Sequence, residues 1–149
     1  MLNARVANRI IFFLSILGLG VAGFLWYAHV TGANIPCGAT NDCEAVNHSP
    51  WATVGGPNGL PTSALGFGLY LLIAGLAFYR TTANRAGMIG VLVWVLALVG
   101  VGVSSWLTWI EADVLHKICK WCISSYAILL LMLVITSVER VLVLRGAWK

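Results

Sequence analysis

Four long stretches of the chain are almost wholly apolar, and short polar or turn-forming segments separate them. The stretches cover residues 10–30, 61–79, 86–110 and 118–144, each bound being good to a few residues. Each stretch is close to the ~20 apolar residues that an α-helix needs to cross a bilayer. The pattern therefore predicts an all-α integral membrane protein, a four-helix bundle that forms a single transmembrane domain over residues 1–149.

The segment between the first and second stretches is predicted to be a long loop. Residues 31–60 are rich in Gly, Pro and Asn, which favour turns over a further span. Within it, Ser49 and Pro50 are typical of the start of a short helix, because serine can bond free amides and proline fits the first helical position. Such a helix would place Trp51 at the membrane surface. The first span itself is expected to be an uncleaved anchor, because its apolar run is longer than that of a signal peptide.

The composition agrees with a membrane location and argues against nucleic acid as a partner. The chain is 60% hydrophobic and only 9% charged, which is too little charge to cover a soluble domain. Its formal charge of +4 comes from basic residues scattered at the ends of the apolar stretches rather than gathered into one patch. The sequence has no glycine-rich phosphate loop, so nucleotide chemistry is not indicated.

The positions of the basic residues predict the orientation of the chain. Seven of the nine lie in the N-terminus, the second loop or the C-terminus: Arg5, Arg9, Arg80, Arg85, Arg140, Arg145 and Lys149. Only Lys117 and Lys120 lie on the other side. Because cytoplasmic loops carry the excess of Lys and Arg, both termini are expected in the cytoplasm and the first and third loops outside it. The two outer loops carry acidic residues, namely Asp42, Glu44, Glu111 and Asp113.

All four cysteines fall on the predicted extracytoplasmic side. Cys37 and Cys43 lie in the first loop, while Cys119 and Cys122 form a C-x-x-C motif where the fourth span begins. Cysteine pairs in an oxidising compartment form disulfides. The amides and dipole of a helix N-terminus stabilise a thiolate, which is both the nucleophile and the leaving group of disulfide exchange. The pattern therefore predicts a thiol–disulfide exchange site.

The helical register predicts a direction for this site. On an α-helix, Cys122 lies ~4.5 Å deeper along the axis than Cys119, and Tyr126 lies ~6 Å deeper again. Spacings of three and four residues place all three on one face. The arrangement suggests a relay that leads from water to a small lipid-soluble acceptor.

Two other interpretations of the cysteines remain open. Both pairs could be structural disulfides, which are common in extracellular loops. Alternatively, the four thiolates could hold zinc, with His48 or His116 nearby, although zinc would compete with oxidation outside the cytoplasm. We favour exchange and expect no metal, because a structural disulfide gains nothing from a helix N-terminus.

The ordered set of motifs resembles the vitamin K epoxide reductase family of membrane thiol oxidoreductases, over most of the chain. The motifs are Cys37 and Cys43, then Ser49 and Trp51, then Pro61, Gly66 and Tyr70, and finally Cys119-Lys120-Trp121-Cys122-Ile123-Ser124-Ser125-Tyr126-Ala127. The resemblance implies a four-helix bundle around a quinone, covered on the outer side by the first loop. It also implies an electron route: Cys37 exchanges with the thiols of a partner protein, Cys43 shuttles to Cys119, and Cys122 reduces the quinone.

The resemblance further implies the residues that bind the quinone, which would be of ubiquinone or menaquinone type. Tyr126 matches a tyrosine that hydrogen-bonds the quinone oxygen, and Thr62 stands where animal members carry an asparagine with the same role. This departure from the family pattern concerns the second hydrogen bond and epoxide reduction, and a threonine hydroxyl can still donate. Ser49 and Trp51 complete the expected quinone site.

We therefore expect an enzyme of a bacterial-type inner membrane, a quinone-dependent thiol–disulfide oxidoreductase that supports disulfide formation. Some family members carry a fused thioredoxin-like domain; here the chain continues only briefly beyond the fourth span, so a separate thioredoxin-fold partner is expected outside the cytoplasm. One alternative keeps the fold but makes reduction of a quinone or quinone epoxide the physiological output. The other is a non-enzymatic membrane scaffold stapled by two disulfides.

Overall fold

The computed structural model describes residues 4–82 and 86–146 of the 149-residue chain. Its helices are α1 (Ala4–Thr31), α2 (Asp42–Asn47), α3 (Thr62–Arg80), α4 (Ala86–Trp109) and α5 (Lys120–Leu144). A 3-10 turn covers Pro50–Ala52, a π-helical turn covers Ile110–Val114, and β1 (Thr53–Val54) pairs antiparallel with β2 (Leu60–Pro61). Two basic residues that entered the orientation argument, Arg85 and Lys149, lie outside the described residues.

Four helices of the described chain are long and apolar enough to cross a membrane, namely α1, α3, α5 and α4 with its π-helical turn. The prediction of an all-α protein with four apolar helices is therefore confirmed. The observed α1 begins at Ala4, earlier than the apolar run suggests, because Arg5 and Arg9 are helical as well. At the predicted short helix, a single 3-10 turn follows Ser49, whose hydroxyl donates back to Val46 O (2.8 Å) instead of capping that turn.

The bundle packs α1 against α3 and α5, and α4 against α3 and α5. Its core is apolar, with Ile11, Ile73 and Met132 fully buried. Tyr70 is the largest fully buried side chain, and its ring lies against Gly18 of α1, where an added Cβ would overlap it. The Tyr70 hydroxyl donates to Ser125 O (2.9 Å) and thereby ties α3 to α5.

The end of the bundle opposite the cysteines is held by buried polar contacts. Arg80 at the end of α3 forms a two-nitrogen ion pair with Glu139 of α5, with Nη1 3.0 Å from Oε2. Close by, Asn8 of α1 donates to Ala77 O (2.8 Å). These contacts leave the other end, where α2, the two short strands and the start of α5 meet, as the part of the fold that carries the cysteines.

Candidate active site

Cys37 and Cys43 form a disulfide in the segment between α1 and α3. Their Cα atoms are 5.7 Å apart, and the intervening chain turns at Gly38, whose φ of +80° suits a residue without a Cβ. Cys43 is the second residue of α2. Both cysteines are buried, with 4% of Cys37 and none of Cys43 exposed. A bulky thiol reagent therefore reaches this disulfide only when the segment moves.

Two polar contacts hold this segment against the start of α5. The Trp121 indole Nε1 donates to Pro36 O (2.9 Å), immediately before Cys37, and its ring packs on Phe24 with 5.0 Å between centroids. Lys117 Nζ lies 3.2 Å from the Asp42 carboxylate, immediately before Cys43. The two contacts bracket the disulfide on both sides.

Cys119 is the N-cap residue of α5. Its sulfur accepts a hydrogen bond from the backbone N–H of Cys122 (3.4 Å), and its own backbone N–H donates to Glu111 Oε2 (3.1 Å). Both Cys119 and Cys122 are free thiols. The hydrogen bond from the Cys122 thiol lowers the pKa of the Cys119 thiol below its usual value, and burial opposes this shift less strongly. Cys119 is thus the sulfur of the C-x-x-C motif that is prepared to react as a thiolate.

Three of the four sulfurs share one apolar cluster. Cys37, Cys43 and Cys119 are buried together among side chains of α1, α2 and the adjoining segments, namely Leu25, Ala28, Ile35 and Val46. Cys122 and Trp121 pack against the edge of the same cluster. The loop disulfide and the helix thiols are therefore neighbours in space although about eighty residues separate them in sequence.

A cavity of about 390 Å³ lies next to this cluster. Its walls come from α1, α3, α4, α5 and the segment between α1 and α3, and they are mostly apolar. Cys122 is on the wall together with three of the predicted quinone-site residues, Ser49, Trp51 and Thr62. Cys119 is not among the described lining residues. Cys122 therefore stands between the buried sulfur cluster and the cavity.

Parts of the cavity wall are exposed, on α3, on α4 and on the segment between α1 and α3. Leu65 of α3 and Val99 and Val103 of α4 line the cavity, and about half of each residue's surface is exposed. Above them, Trp51 stands edge-on to Trp106, with ring centroids 6.1 Å apart. The exposed wall therefore includes apolar residues of two helices that are long and apolar enough to span a membrane, α3 and α4.

The other predicted quinone ligand, Tyr126, is not among the described residues that line the cavity. Its hydroxyl accepts a hydrogen bond from Ser105 Oγ of α4 (2.9 Å). Tyr70 occupies the wall instead, with its hydroxyl bonded to Ser125. The Thr62 hydroxyl donates to Ala52 O (3.1 Å), which leaves its lone pairs free to accept. A role for Tyr126 in quinone binding stays a prediction.

Sequence reasoning missed Glu111, which it placed with the acidic residues of an outer loop. The π-helical turn after α4 directs this side chain inward, where only 4% of it is exposed, on the cavity wall beside Cys122. The signal that could have found it is its position directly after the apolar Trp109 and Ile110, before any turn-forming residue ends the helix.

Within residues 4–82 and 86–146, no three His, Cys, Asp or Glu side chains come together as a metal site would require. The ring of His48 instead stacks on that of His29, with centroids 5.5 Å apart. The reactive groups that the structure brings together here are the cysteine sulfurs and one buried carboxyl, beside a mostly apolar cavity.

The comparison with known families gives one match. The family model described as the Vitamin K epoxide reductase family matches residues 9–137, a range that includes all four cysteines and every residue of the cavity wall. Among curated proteins, no sequence matches the chain.

Proposed function

The chain belongs to the vitamin K epoxide reductase family of oxidoreductases, and we propose that it passes electrons from the cysteines of a separate thioredoxin-fold protein to a membrane quinone. In this role it would support the formation of disulfide bonds in other proteins. Its four apolar helices make it a multi-pass membrane protein. We place it in a bacterial-type inner membrane with both termini in the cytoplasm. The position of Arg80 at the end of the bundle opposite the cysteines supports that orientation.

The observation that carries the proposal is the position of Cys122. This thiol lines the cavity, whereas its partner Cys119 is buried beside the Cys37–Cys43 disulfide. A route from Cys37 to Cys43, Cys119 and Cys122 therefore runs through adjacent groups and ends at the cavity. The cavity suits a quinone head group, because it is mostly apolar, carries a few hydroxyls and has exposed apolar wall residues on the spanning helices α3 and α4.

The proposed route conserves atoms and electrons at each exchange. A dithiol of the partner reduces the Cys37–Cys43 disulfide. The Cys43 thiolate then attacks a Cys119–Cys122 disulfide at Cys119, which releases Cys122, and Cys37 attacks Cys43 in the resulting Cys43–Cys119 bridge, which releases Cys119 and restores the Cys37–Cys43 disulfide. Each exchange forms one S–S bond and breaks another. The two thiols left at Cys119 and Cys122 become a disulfide again when the quinone takes two electrons and two protons. Cys119 is proposed as the sulfur that Cys43 attacks because it is buried in the same cluster as the Cys37–Cys43 disulfide, whereas Cys122 packs at the edge of that cluster.

The expected quinone contacts divide into two groups. Ser49, Trp51 and Thr62 line the cavity and are proposed as direct contacts, with Trp51 packing on the ring and the hydroxyls near its oxygens. Tyr126 lies one position beyond the lining residue Ser125 on α5, and it would reach the cavity only after releasing Ser105. We retain it as a proposed ligand of the occupied site.

The proposal is tested with the full chain in lipid nanodiscs, using reduced thioredoxin as the dithiol and short-chain ubiquinone and menaquinone analogues as acceptors. We expect quinol formation with the wild type and none with single Cys→Ser variants at positions 37, 43, 119 and 122. The double variant Cys37→Ser/Cys122→Ser is expected to trap a Cys43–Cys119 bridge, detectable by mass spectrometry.

Three outcomes would contradict this assignment. Turnover by Cys122→Ser at the wild-type rate would remove the cavity thiol from the route. Faster reduction of a quinone epoxide than of either quinone would indicate that reduction of the acceptor, and not disulfide formation, is the physiological output. Loss of folding in Cys119→Ala and Cys122→Ala, with no quinol formed by the wild type, would favour a stapled scaffold.

A further inference from the structure

Glu111 is the one charged residue among the described residues that line the cavity. The wall otherwise consists of apolar side chains, a few hydroxyls, the amide of Asn47 and the titratable groups of Tyr70 and Cys122. Ionisable side chains are costly at membrane depth and are retained there mainly where they serve a function. We therefore expect the single buried carboxyl beside the Cys122 thiol to have a chemical role.

The fold holds this carboxyl in one place. Glu111 lies in the π-helical turn that follows α4, a departure from α-helical geometry that is frequent at functional sites. Its backbone O accepts from Lys117 N (3.0 Å), and its Oε2 accepts from Cys119 N (3.1 Å). The Glu111 and Cys122 side chains both line the cavity wall. One carboxyl oxygen is thus anchored on the N-cap amide of α5.

None of the described residues that line the cavity with Glu111 carries a positive charge. From α5, the titratable neighbours are Cys119 and Cys122, and from α3 only Tyr70 shares the cavity wall. The segment between α1 and α3 contributes only uncharged residues to that wall. In the described residues the ion pairs are Arg80–Glu139 and Lys117–Asp42, and neither involves Glu111. The carboxyl is therefore free to exchange a proton with a thiol.

We propose that Glu111 is a catalytic residue that takes the thiol proton of Cys122 and delivers it to an oxygen of the quinone. This inference rests on the proposed function, because it concerns the step in which the Cys119 and Cys122 thiols are oxidised. The proposal assigns a role to Glu111, a buried residue that takes no part in the exchanges between the cysteines.

The step balances as follows. Both S–H bonds break and one S–S bond forms between Cys119 and Cys122, which releases two electrons and two protons. The quinone consumes both electrons and two protons on becoming a quinol. The proton of Cys122 travels through Glu111, since both groups are on the cavity wall. Cys119 loses its proton to the aqueous side when its thiolate forms, and the second proton of the quinol is taken up from water.

The test is a single-turnover measurement on the full chain in nanodiscs, reduced beforehand with dithiothreitol and mixed with a short-chain ubiquinone analogue at a series of pH values. Glu111→Gln keeps an oxygen that can accept from Cys119 N but cannot carry the proton. We expect the variant to form quinol about 100-fold more slowly than the wild type, a factor within the range that general acid–base catalysis contributes. We also expect the pH dependence of this rate to change. Glu111→Asp should restore part of the rate. Asp113→Asn, an exposed neighbour outside the cavity wall, is the matched control and should leave rate and pH profile unchanged.

The outcomes separate this inference from the proposed function. If the wild type forms no quinol while its thiols still exchange with thioredoxin, the proposed function fails and this inference with it. If the wild type forms quinol and Glu111→Gln matches it in rate and pH profile, only the role of Glu111 is refuted. Should Glu111→Gln not fold, the wild type and Glu111→Asp are compared across the pH series, and an equal rate in both that does not change with pH would refute the proton transfer.

Discussion

Replacing Trp121 with phenylalanine removes one of the two polar contacts that hold the disulfide-bearing segment against the start of α5. The indole Nε1 of Trp121 donates to Pro36 O (2.9 Å), whereas the packing of its ring on Phe24 can be kept by another aromatic ring. The second contact, between Lys117 and Asp42, is left in place. The substitution therefore loosens the segment without taking away its apolar support.

The size of the effect follows from the value of one hydrogen bond. A typical intramolecular hydrogen bond contributes ~0.5–1.5 kcal/mol net, which corresponds to about a 2- to 13-fold increase in the population of the opened segment. Cys37 and Cys43 are 4% and 0% exposed, so a protein reductant must wait for that opening. When closing is fast relative to reduction, the observed rate is proportional to the open population. The disulfide of Trp121→Phe should then be reduced by thioredoxin about 2 to 13 times faster.

The assay uses excess reduced thioredoxin and stops the reaction with a maleimide-polyethylene glycol that marks each new thiol of the chain. Trp109→Phe is the matched control, because this indole is exposed at the end of α4 and makes no hydrogen bond with the described residues. Equal rates for Trp121→Phe and the wild type would refute the gating role of the indole. An equal acceleration in Trp109→Phe would show that loss of an indole, rather than of this contact, is responsible.

Two further predictions concern the packing around the cavity and the charge of the thiol. Gly18→Ala is expected to displace the Tyr70 ring and to lower the free energy of unfolding in detergent by ~1–3 kcal/mol. The control Gly20→Ala, at a position with open space around it, should be neutral or slightly stabilising. Equal melting temperatures for the two variants would contradict this packing. In the reduced protein, alkylation of Cys119 should persist to lower pH than that of an ordinary cysteine, because its pKa is lowered mainly by the hydrogen bond from the Cys122 thiol. Cys122→Ala should move the pH midpoint of Cys119 alkylation to a higher value, and Cys122→Ser should move it by less. Mass spectrometry of the Cys119 peptide follows the alkylation. An unchanged midpoint in Cys122→Ala would refute the Cys122 hydrogen bond as the cause of the lowered pKa.

The spans and the grouping of the cysteines were predictable because they depend on local sequence. Runs of apolar residues specify helices in lipid, where each backbone group must be bonded within its own segment. Placing the four spans predicts that the four cysteines lie on one side, whereas the approach of Cys43 to Cys119 was expected only from the family resemblance. Sequence reasoning missed the inward turn of Glu111, because it depends on a π-helical turn and on the backbone N–H of Cys119, the N-cap of α5, which donates to its carboxylate.

The position of Tyr126 shows that helical periodicity alone does not predict which residues of α5 line the cavity. With 3.6 residues per turn, the third residue after Cys122 lies about 60° to one side of it and the fourth lies about 40° to the other. Ser125 and Leu129 line the cavity with Cys122, while Tyr126 faces Ser105 of α4. Sequence spacing places all four on one broad face of α5. Only the packing of α3 and α4 decides which edge of that face borders the cavity.

The pattern of sulfur oxidation assigns this structure a place in the proposed route. Cys37 and Cys43 are joined, whereas Cys119 and Cys122 are free thiols. In the route from partner to quinone, this combination arises after Cys43 has passed its electrons to the helix pair and before Cys122 has reduced the quinone. The groups needed next are the ones that the fold has in place: a Cys119 thiol with a lowered pKa, a Cys122 thiol on the cavity wall and the Glu111 carboxyl beside it. Addition of quinone alone, without a thiol partner, should therefore convert this state by a single turnover into one with two disulfides.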